Sequence, residues 1–452
     1  MNFFRKHRGK IGIISILLLI FACMSIFVFL QPFGDGPDEI NRYKVVSYIE
    51  QYGHIPAGDD PQIIIDGYGA SYAFQPILTY IIEGFLLRSL SPLDLSFNAK
   101  LILARYVNVV MGLIAAYFTI KLSRLLFDDD LSSYLFSLAV ILLPQNIFIY
   151  TYVNTDGMGL MSVIIMLYGI VRGYRSDFDK RSLAAICAGI SLCLLSYYNC
   201  YGYILTVFIT FIIYFVMNKS YKQLFKKGLP IAGGVLILAG WWFIRNCILY
   251  GGDILALNAR KECAAATGNI LWLENMANTY QADGYSLYEM VFETDYYTLV
   301  WKSFIAMFGP MEIPTHHYVY MGYKYITVIC LLGLLIPVFS KVMASFKRSY
   351  RFILWGNLLI GMIIPVILAL YYSYTWDFQP QGRYYLPCLI PLTLILCTGM
   401  NKLISVIGIG LEKTTDNKKT SAYAKVFINL FLYMFFFVSL MISMYKLIAY
   451  YR

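Results

Sequence analysis

The chain has 452 residues, of which 59% are hydrophobic and 14% charged, with a mean hydropathy of +0.63 and a formal charge of +10. A soluble domain of this size cannot hide so much apolar surface, whereas a bilayer can, and only helices or closed barrels satisfy their backbone groups there. Long apolar runs without period-two alternation exclude the barrel, and basic residues scattered between those runs, rather than pooled on one face, argue against a nucleic-acid partner.

The first apolar run, Ile11 to Leu30, lacks a small-residue cleavage site and is followed by Gln31-Pro32, so it reads as a retained anchor. Arg5, Lys6, Arg8 and Lys10 ahead of it place the N-terminus in the cytoplasm. Basic clusters recur at Lys121 with Arg124, at Arg172, Arg175, Lys180 and Arg181, and at Lys219, Lys222, Lys226 and Lys227. Two more follow, Lys341, Lys347, Arg348 and Arg351, then Lys402, Lys413, Lys418 and Lys419. Between successive clusters lie two apolar runs, enough to cross out and back.

Phe74 to Leu90 would break this parity if it spanned the bilayer. It is short, carries Glu83 in its middle and has Pro76 near its start, so it is expected to lie as a juxtamembrane or re-entrant helix on the outer side. The expected spans are then 11–30, 99–120, 131–151, 157–172, 183–199, 201–217, 229–248, 323–340, 352–372, 384–401 and 424–446, about eleven crossings with an external C-terminus. The fold class is an all-α polytopic membrane protein, a single transmembrane domain over 1–452. Its outer elaborations are 31–98 and 249–321, and a cytoplasmic connector occupies 402–423. Elaboration on one side suggests a working site built from external loops over a helical scaffold.

Gly36-Pro37-Asp38-Glu39 stands where the chain leaves the first span. An acid there suits the N-terminus of a helix starting near Ile40. A carboxylate at the lipid–water boundary also suits proton abstraction from a hydroxyl. Asn154-Thr155-Asp156-Gly157 makes a good turn, and topology puts Asp156 on the same face, as a second acid that orients an acceptor or shares a cation. Trp241-Trp242-Phe243-Ile244-Arg245-Asn246 closes a span; its tryptophans fit an interfacial belt, while Arg245 at an outer end fits a lipid-borne phosphate or snorkelling.

Gln381-Gly382-Arg383-Tyr384-Tyr385-Leu386-Pro387 opens another span from outside. Arg383 there could hold phosphate in a bidentate way, and Gly382 would let the backbone approach a ligand. His316-His317 reads as a surface pair, with a role near phosphate as the second reading. The nine cysteines have no metal-ligand spacing and read as packing residues. No Walker loop, dinucleotide fingerprint or HExxH is present. No resident metal or cofactor is expected, with a divalent cation shared between the acids the one exception kept open.

Together these pieces resemble the GT-C superfamily of membrane glycosyltransferases, which draw sugars from polyprenyl-phosphate carriers. Pro37 to Tyr43, followed by Gly53-His54-Ile55-Pro56, is similar to the first loop of the lipid A aminoarabinose transferases and the protein O-mannosyltransferases. Closer still is a bacterial branch of GT-C-like proteins with Asn-x-Asp after the third span, a Trp-Trp-x-x-Arg-Asn-x-x-Leu-Tyr-Gly segment and a Gln-Gly-Arg-Tyr-x-x-Pro turn. Here these are Asn154 to Asp156, Trp241 to Gly251 and Gln381 to Pro387, and Ser303-Phe304 to Phe308-Gly309 matches as well.

The resemblance implies Asp38 as general base and Asp156 as a second outer acid, with Glu39 a further nearby carboxylate. Two positions depart from the aminoarabinose-transferase pattern: Arg42 stands one residue late, and Gln75-Pro76 replaces Lys-Pro. Phosphate contact then falls to Arg245, Arg383, Lys324 or Arg42, with Gln381, His316 and His317 as further substrate-binding candidates. The implied activity is inverting transfer of a sugar from a polyprenyl-phosphate donor to a glycan, lipid or protein acceptor at the outer face of the plasma membrane. The rivals are a lipid-linked sugar flippase, which should show repeated halves and mid-membrane charges, and a non-catalytic envelope-assembly subunit.

Overall fold

The computed structural model describes residues 2–269, 279–338 and 342–452, and a helix covers at least part of each expected span. In chain order the helices are α1 (Asn2–Leu30), α2 (Glu39–Tyr52), α3 (Leu78–Ser89), α4 (Phe97–Leu126), α5 (Asp130–Ile141), α6 (Asp156–Ser176) and α7 (Lys180–Leu194). They continue with α8 (Tyr201–Met217), α9 (Tyr221–Leu249), α10 (His317–Leu334), α11 (Arg348–Thr375), α12 (Leu389–Thr415) and α13 (Lys418–Tyr451). Shorter helices at Pro144–Phe148, Leu257–Thr267, Leu287–Phe292 and Tyr296–Ile305, and a two-stranded pairing of Met307–Phe308 with Ile313–Pro314, fill the connections.

Among the described residues, eight helices are long and apolar enough to cross a membrane: α1, α4, α6, α8, α9, α11, α12 and α13. The other three expected spans coincide with α5, α7 and α10, of 12, 15 and 18 residues. Lys341, the end of the expected 323–340 span and residues 270–278 of the long loop lie outside the described residues. The expected connector 402–423 is helical except for a turn at Asp416 and Asn417, because α12 and α13 both extend into it.

Local chemistry sets several ends. Asp129 accepts from the Ser132 amide at the start of α5. Asp179 accepts from the Ser182 amide at the start of α7 while pairing with Arg172 at 2.5 Å. Where α10 crosses α12, a Cβ on Gly399 would stand 1.8 Å from the Cys330 carbonyl oxygen, so only glycine lets the backbones approach this closely. Outward-facing apolar side chains, such as Ile237 and Phe352, provide the surface that lipid covers.

End-to-end contacts sort the connections into two faces. On one face the Tyr451 hydroxyl donates to Asp35 at 2.6 Å, and the Leu78 amide donates to the Leu195 carbonyl at 3.1 Å. On the other, Lys425 pairs with Asp129 at 2.9 Å, and Arg175 reaches the Leu125 carbonyl and Ser345. Lys227, paired with Asp177 at 3.1 Å, and Asn218, which accepts from the Tyr350 hydroxyl at 2.8 Å, bring the neighbouring basic clusters to this second face. At about 1.5 Å per residue α3 is roughly 18 Å long, short against a hydrocarbon core of about 30 Å. Arg88 near its C-terminus donates to the Glu50 and Gln51 carbonyls of α2, so the helix begins and ends on the first face and does not thread the bundle.

Candidate active site

On that first face, four charged side chains from three distant parts of the chain form a closed ring. Asp38 Oδ2 accepts from Arg42 Nη2 at 3.3 Å and from Arg383 Nη2 at 3.0 Å. Asp156 Oδ2 accepts from Arg42 Nη1 at 3.4 Å and lies 3.9 Å from Arg383 Nη1. Arg42, Arg383 and Asp156 have side chains only 6%, 4% and 6% exposed, whereas Asp38 is 37% exposed and is the member that meets solvent. Burial would raise the Asp38 carboxyl, but the charges of Arg383 and Arg42 outweigh it and hold that group below the ordinary carboxylate range. Tyr72 lies against Arg42, with the guanidinium 5.3 Å from its ring centre, and burial pushes its hydroxyl up to about 12, so it stays a neutral donor.

The local sequence explains each placement. Asp38 has φ 63 and makes no side-chain cap bond to α2, so capping is not its role. At the second acid, Asn154 builds the turn: its Oδ1 accepts from the Gly157 amide at 2.9 Å and its Nδ2 donates to the Ile149 and Tyr152 carbonyls. That leaves Asp156 free as the first residue of α6, where the helix N-terminus favours its negative charge.

Arg383 is delivered by the 3-10 turn Gly382–Cys388. The Gly382 amide donates to Ser303 Oγ at 2.6 Å, and a Cβ at Gly382 would stand 2.0 Å from the Phe304 amide nitrogen. The glycine thus admits the chain's own backbone at Ser303-Phe304, rather than a ligand as its sequence context suggested. Gly382→Ala is expected to displace Arg383 and to cost about 1–3 kcal/mol of stability, read as a lowered unfolding temperature in detergent. An unchanged midpoint would show that Phe304 yields freely.

Several buried donors and acceptors around the ring lack a hydrogen-bond partner among the described residues: Asp156 Oδ1, Arg42 Nε, and Arg383 Nε and Nη1. Orphaned polar atoms converging on one charged cluster are what an unfilled polar ligand site leaves behind.

The other expected site residues are distributed differently. Glu39, expected beside the reacting centre, is buried and saturated. Arg105 Nε donates to its Oε1 at 2.8 Å and Nη2 to its Oε2 at 2.6 Å, and the Val153 and Gly34 amides donate at 3.1 and 3.2 Å. It is a structural clasp. Arg245 donates to the Pro56 carbonyl at 2.5 Å and stacks on Trp242, so it ties α9 to the first loop and makes no contact with the ring. Lys324 is exposed on α10. His316 caps α10, its Nδ1 accepting from the Tyr318 amide, and both His316 and His317 are exposed, as the surface-pair reading has it. Gln381 precedes the turn, with its Oε1 buried and lacking a hydrogen-bond partner among the described residues.

Sequence reasoning missed Arg105, Tyr72, Tyr384 and Gln379. Arg105 carried a usable signal, since an arginine inside an apolar run demands an acid partner.

Glu83 in α3, noted as an oddity of its segment, is fully buried. It accepts from Asn108 Nδ2 at 2.7 Å, while its Oε2 has no partner among the described residues. Burial, then the Glu39 charge, pushes this carboxyl well above the usual range. A carboxyl raised on folding loses stability as pH climbs from its unfolded value towards its folded one, because the unfolded chain ionises first. Glu83→Gln mimics the neutral acid and is expected to hold or raise the unfolding temperature at pH 7 and to flatten its decline towards alkaline pH. A lowered midpoint would mean that the charged form is the one stabilised.

Comparison with known proteins fits this architecture. A family model described as "Predicted membrane protein (DUF2142)" matches residues 78–393. ArnT from Cupriavidus metallidurans, solved bound to undecaprenyl phosphate, is similar in fold with a TM-score of 0.54 and 10% identity, over 98% of this chain and 78% of that one. The oligosaccharyltransferase of Archaeoglobus fulgidus, tethered to an acceptor peptide, gives 0.54 at 14% identity, over 99% of this chain and 56% of that one. The A. fulgidus oligosaccharyltransferase AglB, in complex with an inhibitory peptide and a dolichol-phosphate, gives 0.50 at 13% identity, again covering 56% of that chain. This chain therefore spans little more than half of the oligosaccharyltransferase, and at such identities the likeness is one of fold, the GT-C-like bundle. No curated protein matches.

Proposed function

We propose, from the premise that the chain belongs to the family of predicted membrane proteins described as DUF2142, that it is a membrane glycosyltransferase of GT-C type. In this reading it moves a sugar from a polyprenyl-phosphate carrier to a cell-envelope acceptor on the extracytoplasmic face. The observation that carries the reading is the ring of Asp38, Arg42, Asp156 and Arg383, closed by side chains from three separate segments and open to solvent at Asp38. The fold likeness to ArnT and to the oligosaccharyltransferase, proteins solved with polyprenyl phosphates, supports it. The basic clusters support an orientation in which they stay in the cytoplasm and the ring lies outside.

The chemistry follows from the charges. A lone pair of the acceptor hydroxyl attacks the anomeric carbon from the side opposite the phosphate, and configuration inverts. The bond from that carbon to the phosphate oxygen breaks, its electron pair leaving with the oxygen, while the hydroxyl proton passes to Asp38. The departing phosphate is already stable as an anion and needs positive charge rather than a proton, which Arg42 and Arg383 provide. The developing oxocarbenium character favours a nearby carboxylate, and Asp156 is placed for that. A divalent cation would have to take both carboxylates from their guanidiniums, so the reading assigns the positive charge to the arginines.

The purified chain, incubated with a radiolabelled polyprenyl-phosphate sugar and membrane extract, tests the reading. Label should pass from the carrier to an envelope component. If the label merely changes leaflet in proteoliposomes, with its bond to phosphate intact, the flippase reading replaces this one.

A further inference from the structure

A chain of hydrogen bonds leads away from the ring and plays no part in the chemistry above. Arg383 Nη2, which bonds Asp38, also donates to the Tyr384 hydroxyl at 3.0 Å. That hydroxyl donates to Gln379 Oε1, and Gln379 Nε2 donates to Asp377 Oδ2. We infer that Tyr384, Gln379 and Asp377 form a polarised wire of positioning residues, which fixes the edge of the Arg383 guanidinium offered to a lipid-borne phosphate. The inference rests on reading the acid–arginine ring as the donor-phosphate site.

Direction is the first argument. Every donor points the same way, from the guanidinium outwards to a carboxylate, the arrangement in which successive hydrogen bonds strengthen one another. An acid at the far end orients the Gln379 amide, because only its NH2 can serve a carboxylate. The amide oxygen then faces Tyr384 and draws the phenolic hydrogen, leaving the phenolic lone pairs for Arg383.

Accounting of donors is the second. Nη2 has two hydrogens, and Asp38 and Tyr384 take both. Nε and Nη1 have no hydrogen-bond partner among the described residues, so these are the donors left for phosphate oxygens. The ring of Tyr384 lies 5.0 Å from the guanidinium carbon and restrains its plane as well.

Anchorage is the third. The Asp377 and Trp376 amides both donate to the Tyr372 carbonyl at the end of α11, and Ser373 Oγ donates to the Gln379 carbonyl at 3.3 Å. The outer end of the wire is therefore fixed to a spanning helix, and the restraint on Arg383 does not depend on a free loop.

Binding of undecaprenyl phosphate to the purified full chain in detergent, measured beside thermal unfolding, separates the possibilities. Tyr384→Phe, Gln379→Ala and Asp377→Ala are each expected to weaken binding about tenfold with little change in midpoint. Asp377→Asn retains an acceptor oxygen and is expected to bind within about threefold of the unmodified chain. Variants that bind as tightly as the unmodified chain overturn the wire while leaving the phosphate site standing. So does a loss of binding matched by a lowered midpoint in all four, which would mark a mere brace. An unmodified chain that fails to bind undecaprenyl phosphate overturns the phosphate site, and the wire with it.

Discussion

Asp38→Asn is expected to lower turnover by about 10²–10⁴-fold, the range for losing a general base, while binding of the polyprenyl-phosphate donor survives. Asparagine keeps the shape of the side chain and an oxygen for Arg383 and Arg42, so the ring should still assemble. What disappears is the ability to take a proton. Removing one negative charge also leaves the two guanidiniums undercompensated, so donor KM should fall. A folding defect would instead reduce the amount of active enzyme at unchanged KM. Asp156→Asn removes charge stabilisation alone and should be the milder lesion.

The pH profile gives a second reading of the same residue. A base works only when ionised, and Arg383 and Arg42 hold Asp38 below the ordinary carboxylate range. The acid limb of kcat/KM should therefore lie below about pH 4, the unperturbed carboxylate value, and move up in Arg383→Gln as the restraining charge is removed. Asp38→Asn with turnover within threefold of the unmodified chain would remove it as the base. An acid limb unmoved by Arg383→Gln would break the link between the two residues.

Legibility in the sequence differed by residue for physical reasons. Asp38, Asp156 and Arg383 could be placed on one face because the positive-inside pattern fixes parity, and parity brings together ends that lie hundreds of residues apart. Their pairing could not be read, since it depends on how the turn at Gly382 packs against Ser303 and Phe304. Arg42 was one choice among four cations because spacing alone does not say which arginine faces inward; α2 settles it by burying Arg42 and leaving Ile40 half-exposed. Arg245 had two readings for the converse reason, because a span-ending arginine serves the nearest carbonyl as readily as a phosphate, and here Pro56 supplies one. The wire through Tyr384 and Gln379 was invisible, as a tyrosine and a glutamine beside a membrane carry no distinguishing pattern.

The adjacent acids Asp38 and Glu39 divide into two roles, and the second has a large expected cost of its own. Arg105→Met should destabilise the chain by about 3–5 kcal/mol, because it leaves the Glu39 charge buried without a partner. Arg105 also donates to the Val28, Gln31 and Pro32 carbonyls, so the same change releases the end of α1. Glu39→Gln in that background removes the stranded charge and should recover part of the loss, a coupling that a double-mutant cycle on unfolding free energies would measure. Coupling near zero would mean that the pair contributes nothing beyond packing. The functional consequence is geometric: Glu39 fastens the start of α2 to α4 and to the Val153 amide, and Asp38 immediately before it is thereby held at the ring without using its own oxygens for anchorage. Weakening the clasp with Arg105→Lys, which preserves charge but loses the bidentate fork, should therefore lower turnover more than it lowers stability.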